Sequence, residues 1–147
     1  MRYYYHLAGK IAMHHNKDSV AVENFTTSYS LLSFQHEALD DHAFYLYSLA
    51  IAYDKMNEND RALEQFKKIT ELTSGRIQFG DIYAKSYYWL GKIYLRQGQK
   101  QKAQDNFEKF LDLWKDADPM IQEIEDAKKF LRQLNENNAD HPITPQN

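Results

Sequence analysis

Residues 87–107 read YYWLGKIYLRQGQKQKAQDNF, and this stretch decides the fold. Within it, Gly91, Ala103 and Phe107 are separated by 12 and then by 4 residues. The same small and aromatic residues recur twice upstream, each time 41 residues apart and with the same gaps. The two earlier sets are Ala50, Ala62 and Phe66, and Gly9, Ala21 and Phe25. A fixed period of roughly 20 to 50 residues indicates a repeat array, so the sequence predicts three copies of one unit.

Each unit has the pattern of a helical hairpin. In the third unit, Leu90, Gly91 and Tyr94 fall at helical spacing on one stripe, and Ala103 and Phe107 begin a second stripe. The small residues allow the two helices to approach closely where they cross, since protein interiors pack as densely as crystals. We expect the Phe one turn beyond each Ala to fill the gap that widens there.

The turn inside each hairpin carries a residue suited to left-handed backbone. Gly98 has this position in the third unit, and Asn57 and Asn16 have it in the other two. Asp18 and Asn59 lie just before the second helices and are predicted to cap them. The third unit has a lysine at the equivalent place, so its second helix should begin less sharply.

The composition agrees with an all-α chain. Hydrophobic residues make up 43% of the 147 residues, which is enough for a core, while Gly (5) and Pro (3) are scarce. The net charge of −3 gives no reason to expect nucleic acid as a partner. There is no cysteine, so disulfides and thiolate metal sites are excluded. No apolar run or signal-peptide pattern indicates membrane insertion or export. The compartment is not determined, although a cytoplasmic one is favoured.

The carboxyl-terminal part is predicted to be a capping helix over residues 118–134, with Asp118 as N-cap and Pro119 in the first turn. Its apolar stripe is Met120, Ile124, Ala127, Leu131 and Leu134. Residues 135–147 are polar and predicted to be a disordered tail. The amino-terminal end has no such cover. Either the chain is cut from a longer array, which we favour, or its aromatic end-face contacts another molecule.

These residues resemble the tetratricopeptide repeat, whose pattern is an aromatic, Leu-Gly and Tyr on the first helix, then Ala and Phe or Tyr on the second. The third unit carries this pattern most fully. The resemblance implies a right-handed superhelical array of three antiparallel helix-turn-helix repeats, at about residues 2–36, 40–75 and 79–116, plus the capping helix, as one domain over residues 1–134. The commonest period of the family is 34, so this chain resembles its long-helix variants. Residues 110–119 also resemble the closing repeat of larger bacterial multidomain proteins.

The resemblance further implies that a second face of each first helix lines a concave groove where partners dock. This face holds five formal cations and one acid, which suits an extended peptide with acidic side chains or a free C-terminal carboxylate. The candidate binding residues are Tyr3, His6, Lys10, His14, Phe44, Tyr47, Lys85, Tyr88, Lys92 and Arg96. The alternative is structural: the rings pack between neighbouring helices and the cations are solvated. The family's carboxylate clamp for chaperone tails is not expected, because Lys10 and Trp89 stand where it needs Asn and Arg.

Other chemistry finds little support. His6, His14 and His15 are poorly spaced for a metal, since adjacent helical residues point about 100° apart. No nucleophilic cysteine, phosphate-binding glycine loop or metalloprotease motif is present, so neither an enzyme nor a cofactor is predicted. The predicted function is a non-catalytic protein-interaction module that binds a protein or an extended peptide. Two alternatives remain open: a self-associating structural scaffold, and a regulatory sensor repeat of a larger bacterial signalling protein.

Overall fold

The computed structural model describes residues 1–32, 41–72, 79–115 and 121–139. Of these residues 85% are helical, and the described part of the chain contains seven helices and no strand. In chain order the helices are α1 (Arg2–His14), α2 (Asp18–Ser30), α3 (His42–Lys55), α4 (Asn59–Glu71), α5 (Gly80–Arg96), α6 (Lys100–Leu113) and α7 (Gln122–Ala139). None of the described helices is both long enough and apolar enough to cross a membrane.

The chain divides into two compact units, residues 1–86 and residues 87–147. In the first unit α1 packs on α2, α2 on α3, and α3 on α4. A buried cluster joins α1, α2 and α3 through Ala12, Phe25 and Leu49 respectively. In the second unit α6 packs on α7. The predicted all-α array of helical hairpins is therefore confirmed.

The turns inside the three hairpins have one backbone conformation. Asn16, Asn57 and Gly98 have φ of 55°, 58° and 73°, which confirms the left-handed residues predicted there. The amide of the next residue reaches back to a carbonyl five positions earlier, at 2.9 Å, 3.0 Å and 2.9 Å in the three turns. This is the Schellman bond, which satisfies carbonyls that the end of the first helix leaves free.

The predicted helix caps are wrong. Asp18 and Asn59 are the first residues of α2 and α4, and the N-cap positions belong to Lys17 and Glu58, neither of which makes a side-chain cap bond. α6 begins in the same way after Gln99. In each second helix the amide of the fourth residue donates a hydrogen bond to the carbonyl of the N-cap residue at 2.9–3.0 Å. All three second helices therefore begin with the same backbone geometry, with N-cap φ between −95° and −82° and ψ between 63° and 68°, and the lysine of the third hairpin causes no departure from it.

The small residues on the first helices make room for a ring. A Cβ added at Gly91 would lie 2.7 Å from Cε1 of Phe107, and one added at Gly9 would lie 2.5 Å from Cε1 of Phe25. Both rings are fully buried. The close neighbour of each glycine is therefore the Phe of the second helix. This Phe lies one turn beyond the Ala that the sequence pairs with the glycine.

The capping helix α7 is longer than predicted at its carboxyl end, because it continues to Ala139 rather than ending at 134. Ile124, Ala127 and Leu134 of the predicted stripe are buried, and Phe130 stacks on Phe107 with ring centroids 5.2 Å apart. The helix begins at Gln122, after a non-helical residue 121, so the start predicted at residue 118 is wrong. Asp118, Pro119 and Met120 themselves lie outside the described residues, as do residues 140–147.

Candidate functional site

The predicted binding residues of the first unit include one that is not at the surface. His6 is 8% exposed, and its ring lies among those of Phe25, Phe44 and Tyr45 at centroid distances of 5.3, 4.6 and 5.0 Å. Neither ring nitrogen has a hydrogen-bond partner among the described residues. Burial, and secondarily the nearby charge of Lys10, lowers the pKa of His6 to about 4, so the imidazole is neutral at pH 7. His6 therefore serves as a core aromatic and offers no free face to a partner.

The aromatic candidates around His6 are more accessible. Tyr3 is 65% exposed, and its hydroxyl accepts a hydrogen bond from the Arg2 guanidinium at 3.0 Å. Phe44 is 37% exposed and leans on the His6 ring. Tyr47 is half-buried, with its ring edge-on to Phe66 at 5.9 Å. Tyr3 and Phe44 thus present ring surface to solvent.

The cations of this unit differ in their surroundings. Lys10 is exposed, but its ammonium lies 6.0 Å from the Phe25 ring centroid, and burial lowers the pKa of Lys10. His14 is exposed at the end of α1, and its ring lies edge-on to His15 at 5.5 Å. Lys85 of α5 is half-buried. Lys10 therefore combines an exposed side chain with an ammonium near an aromatic ring, and burial of that ammonium disfavours its charged form.

In the second unit the candidates form a cation on an aromatic surface. The Lys92 ammonium lies 4.2 Å from the Trp89 ring centroid and 5.3 Å from that of Tyr88. The two rings meet edge-on at 5.7 Å, and Lys92 and Trp89 are each half-buried. Arg96, one turn beyond Lys92, is exposed. Trp89 is not among the predicted binding residues. It lies three residues before Lys92 on the same helix, and this spacing indicates that the two side chains meet.

Tyr88 has a structural role in this unit. It is 4% exposed, and its ring contacts those of Phe107 and Phe110 at 6.2 and 5.4 Å. Its hydroxyl donates to Oδ2 of Asp126 on α7 at 3.2 Å. Tyr88 therefore joins α5, α6 and α7, and its ring contacts the Lys92 ammonium. Trp89 and Lys92 are half-buried and Arg96 is exposed, so these three side chains keep surface that solvent can reach.

No group of three or more metal-ligating side chains is found in the described part of the chain.

A second exposed surface lies on the first two helices, near the amino-terminal end that the sequence predicts to be uncovered. Tyr4, Leu7 and Ile11 of α1 are 67%, 61% and 52% exposed, and Val20 of α2 is 43% exposed. They border a groove of about 460 Å³ between α1 and α2. The three α1 residues are spaced i, i+3 and i+7, and this spacing indicates an apolar ridge on one face of the helix. The ridge does not recur in the other repeats, because the equivalent positions hold Ser48 and Ala52 or belong to the core.

Three hairpins with the same turn, at a fixed period of 41 residues, define an all-α protein built from helical-hairpin repeats. Two family models of the tetratricopeptide repeat match the chain, one over residues 45–75 and the other over residues 84–113. These two segments are accordingly tetratricopeptide repeats, as the sequence resemblance predicts. Tetratricopeptide repeats are a protein-interaction type of repeat, which places the chain among protein–protein interaction modules.

Two solved structures show the same fold. The tetratricopeptide repeat domain of Sgt2 from Aspergillus fumigatus superposes with a TM-score of 0.70 at 18% identity, over 99% of this chain and 85% of that one. The first tetratricopeptide repeat domain of Spaghetti (RPAP3), bound to the HSP90 peptide SRMEEVD, gives a TM-score of 0.70 at 17% identity, over 94% of this chain and 93% of that one. No curated protein matches the chain.

Proposed function

We propose that this chain is a non-catalytic interaction module that binds an extended segment bearing acidic side chains or a free C-terminal carboxylate. The observation that carries the proposal is the cation on an aromatic surface formed by Lys92, Trp89 and Arg96. The ammonium lies 4.2 Å from the Trp89 ring centroid, and Trp89 itself is half-buried. A cation that is partly stripped of water by an indole attracts a carboxylate more strongly than a fully solvated one does.

The first unit supports the same chemistry by itself. α1 carries Arg2 and Lys10 and no acidic residue, and the lowered pKa of Lys10 reports an ammonium that has lost part of its hydration. Exposed rings of Tyr3 and Phe44 lie near the same helix end. Aromatic surfaces beside cations favour a chain that offers both apolar and anionic side chains.

One of the two similar solved structures contains a peptide, which supports an acidic ligand for this chain but does not determine the sequence of that ligand. The peptide in the RPAP3 domain, SRMEEVD, contains two Glu and one Asp. In the present chain Lys10 and Trp89 occupy places where the family's clamp for chaperone tails needs Asn and Arg. We therefore propose an acidic segment as the ligand, and not a chaperone tail.

The test uses a fluorescein-labelled peptide of about eight residues in which Glu alternates with Ser and Pro, since Pro keeps the peptide extended. A matched peptide carries Gln in place of Glu. We expect the Glu peptide to bind the wild type about tenfold more tightly than the Gln peptide, with the difference shrinking as salt increases. Lys92→Glu combined with Arg96→Glu should remove that preference in fluorescence polarisation.

The control is a second double charge reversal in the same unit, Lys109→Glu with Lys115→Glu. Both lysines are exposed on or just after α6 and lie outside the proposed surface. This variant changes the net charge equally and should keep the Glu-peptide affinity within about twofold. Equal loss in both variants, or no Glu preference in the wild type, would show that the attraction is only a matter of net charge.

A further inference from the structure

A different surface of the first unit points to a second kind of partner. We propose that the groove between α1 and α2 is the docking site for an amphipathic α-helix of another protein, with acidic residues beside its apolar stripe. This surface shares no residue with the Lys92 site, so the two proposals succeed or fail separately.

The groove has an apolar ridge along one side. Tyr4, Leu7 and Ile11 follow each other at i, i+3 and i+7 on α1, and each is more than half exposed. Val20 faces them from α2. A contiguous apolar patch of this kind on a soluble surface marks an interaction site, whereas single exposed apolar residues do not.

The repeat itself indicates what covers such a ridge. The residues 41 positions further on in α3 are Tyr45, Ser48 and Ala52. They are 1%, 1% and 0% exposed, because α3 packs against α2 of the preceding hairpin. One helix surface therefore occurs twice in this unit, once covered by a helix and once open. Leu7 and Ile11 are larger than their α3 counterparts, so we expect a helix with small residues opposite them.

The dimensions and charge of the groove define the partner further. From Tyr4 to His15 the groove lining spans twelve residues, which is about 16 Å or three helical turns. The described lining ends in His15 and Lys17 and includes no carboxylate. A second copy that docked by the same lining would add a further Lys17 and no carboxylate. An acidic helix is complementary to this end, and a helix in an apolar groove is an established mode of peptide recognition.

The experiment uses a designed, fluorescein-labelled helix of about fourteen residues, with Leu and Ala on one stripe and Glu elsewhere. A second peptide has Lys in place of every Glu. We expect wild-type protein to bind the Glu helix with a dissociation constant in the range of about 10–100 μM, and the Lys helix at least about tenfold more weakly. Leu7→Glu and Ile11→Glu should each weaken binding of the Glu helix about tenfold or more, because each places a carboxylate on the apolar ridge.

Two further variants make the result specific. Leu31→Glu removes an equally exposed apolar residue, 47% exposed and outside the groove lining, and should leave affinity unchanged. Lys17→Glu should weaken the Glu helix and strengthen the Lys helix, since it reverses the charge at one end of the groove. Circular dichroism checks that each variant folds.

Three outcomes would overturn the proposal: no binding of the Glu helix up to about 1 mM, equal binding of both peptides, or equal loss in Leu31→Glu. Sedimentation equilibrium of the unliganded protein tests the remaining occupant. A dimer that dissociates on Ile11→Glu would show that a second copy, and not a separate acidic helix, covers the groove.

Discussion

The substitution Gly91→Ala tests how tightly the hairpins are packed. Alanine is the better helix former by about 1 kcal/mol, so at an unconstrained helical position this change would stabilise the protein. Here the added Cβ would lie 2.7 Å from Cε1 of Phe107, about 0.7 Å inside the shortest ordinary contact. The ring would have to retreat, although it is fully buried and stacked on Phe130 at 5.2 Å. Overpacking of this kind costs about 1–3 kcal/mol, so we expect a net loss of about 0–2 kcal/mol.

The assay is urea unfolding followed by far-ultraviolet circular dichroism, with a double-mutant cycle to isolate the contact. In a Phe130→Ala background the Phe107 ring has space behind it, so Gly91→Ala should cost about 1 kcal/mol less than it does in the wild type. Ala50→Gly is the control, because the second hairpin already has a Cβ at this place; it should cost about 1 kcal/mol from helix propensity. If Gly91→Ala stabilises the wild type by the full 1 kcal/mol, the ring yields freely and the packing argument is wrong.

Two more predictions concern a buried imidazole and a turn. His6 has a folded pKa of about 4 against about 6.5 in an unfolded chain, so the unfolded state takes up the proton first. The stability held by neutral His6 is therefore present above about pH 6.5 and is lost as the pH falls towards 4. His6→Phe should remove this dependence, so that the variant gains about 2 kcal/mol on the wild type between pH 8 and pH 5 in urea unfolding; parallel curves would contradict it. Gly98→Ala forces a Cβ into a backbone with φ of 73° and should cost about 1–2 kcal/mol, whereas Gly80→Ala, exposed and without a neighbour within 4 Å, should change stability by less than about 0.5 kcal/mol in thermal unfolding.

Much of the fold could be predicted because each sequence feature occurs in all three repeats. Gly98 alone is a weak indication of a helix end, but Asn16 and Asn57 at the same spacing made the left-handed turn a firm expectation, and the backbone confirms it. The caps were predicted wrongly because residue type is only one way to begin a helix. In these hairpins the residue that follows the left-handed position, Lys17 in the first hairpin, is the N-cap, so Asp18 lies one position inside the helix.

The candidate site was harder to predict because helical periodicity gives the face of a residue but not the depth of its side chain. His6 and Tyr88 lie on the predicted face, yet both are buried under neighbours from other helices. The partners responsible are 19 or more residues away along the chain: Phe25, Phe44 and Tyr45 for His6, and Phe107, Phe110 and Asp126 for Tyr88. Only tertiary packing brings these groups together, and a single sequence does not report it.

The three inner turns have one conformation although their N-cap residues are a cation, an anion and an amide, Lys17, Glu58 and Gln99. Since the same backbone hydrogen bond closes all three bends, selection is free to choose the charge at that point without disturbing the architecture. New binding preferences at a bend can therefore evolve by single codon changes while the framework stays intact. The same independence explains why Lys17→Glu is a safe reversal to make in the laboratory: nature has already placed a glutamate in that geometry one unit further on.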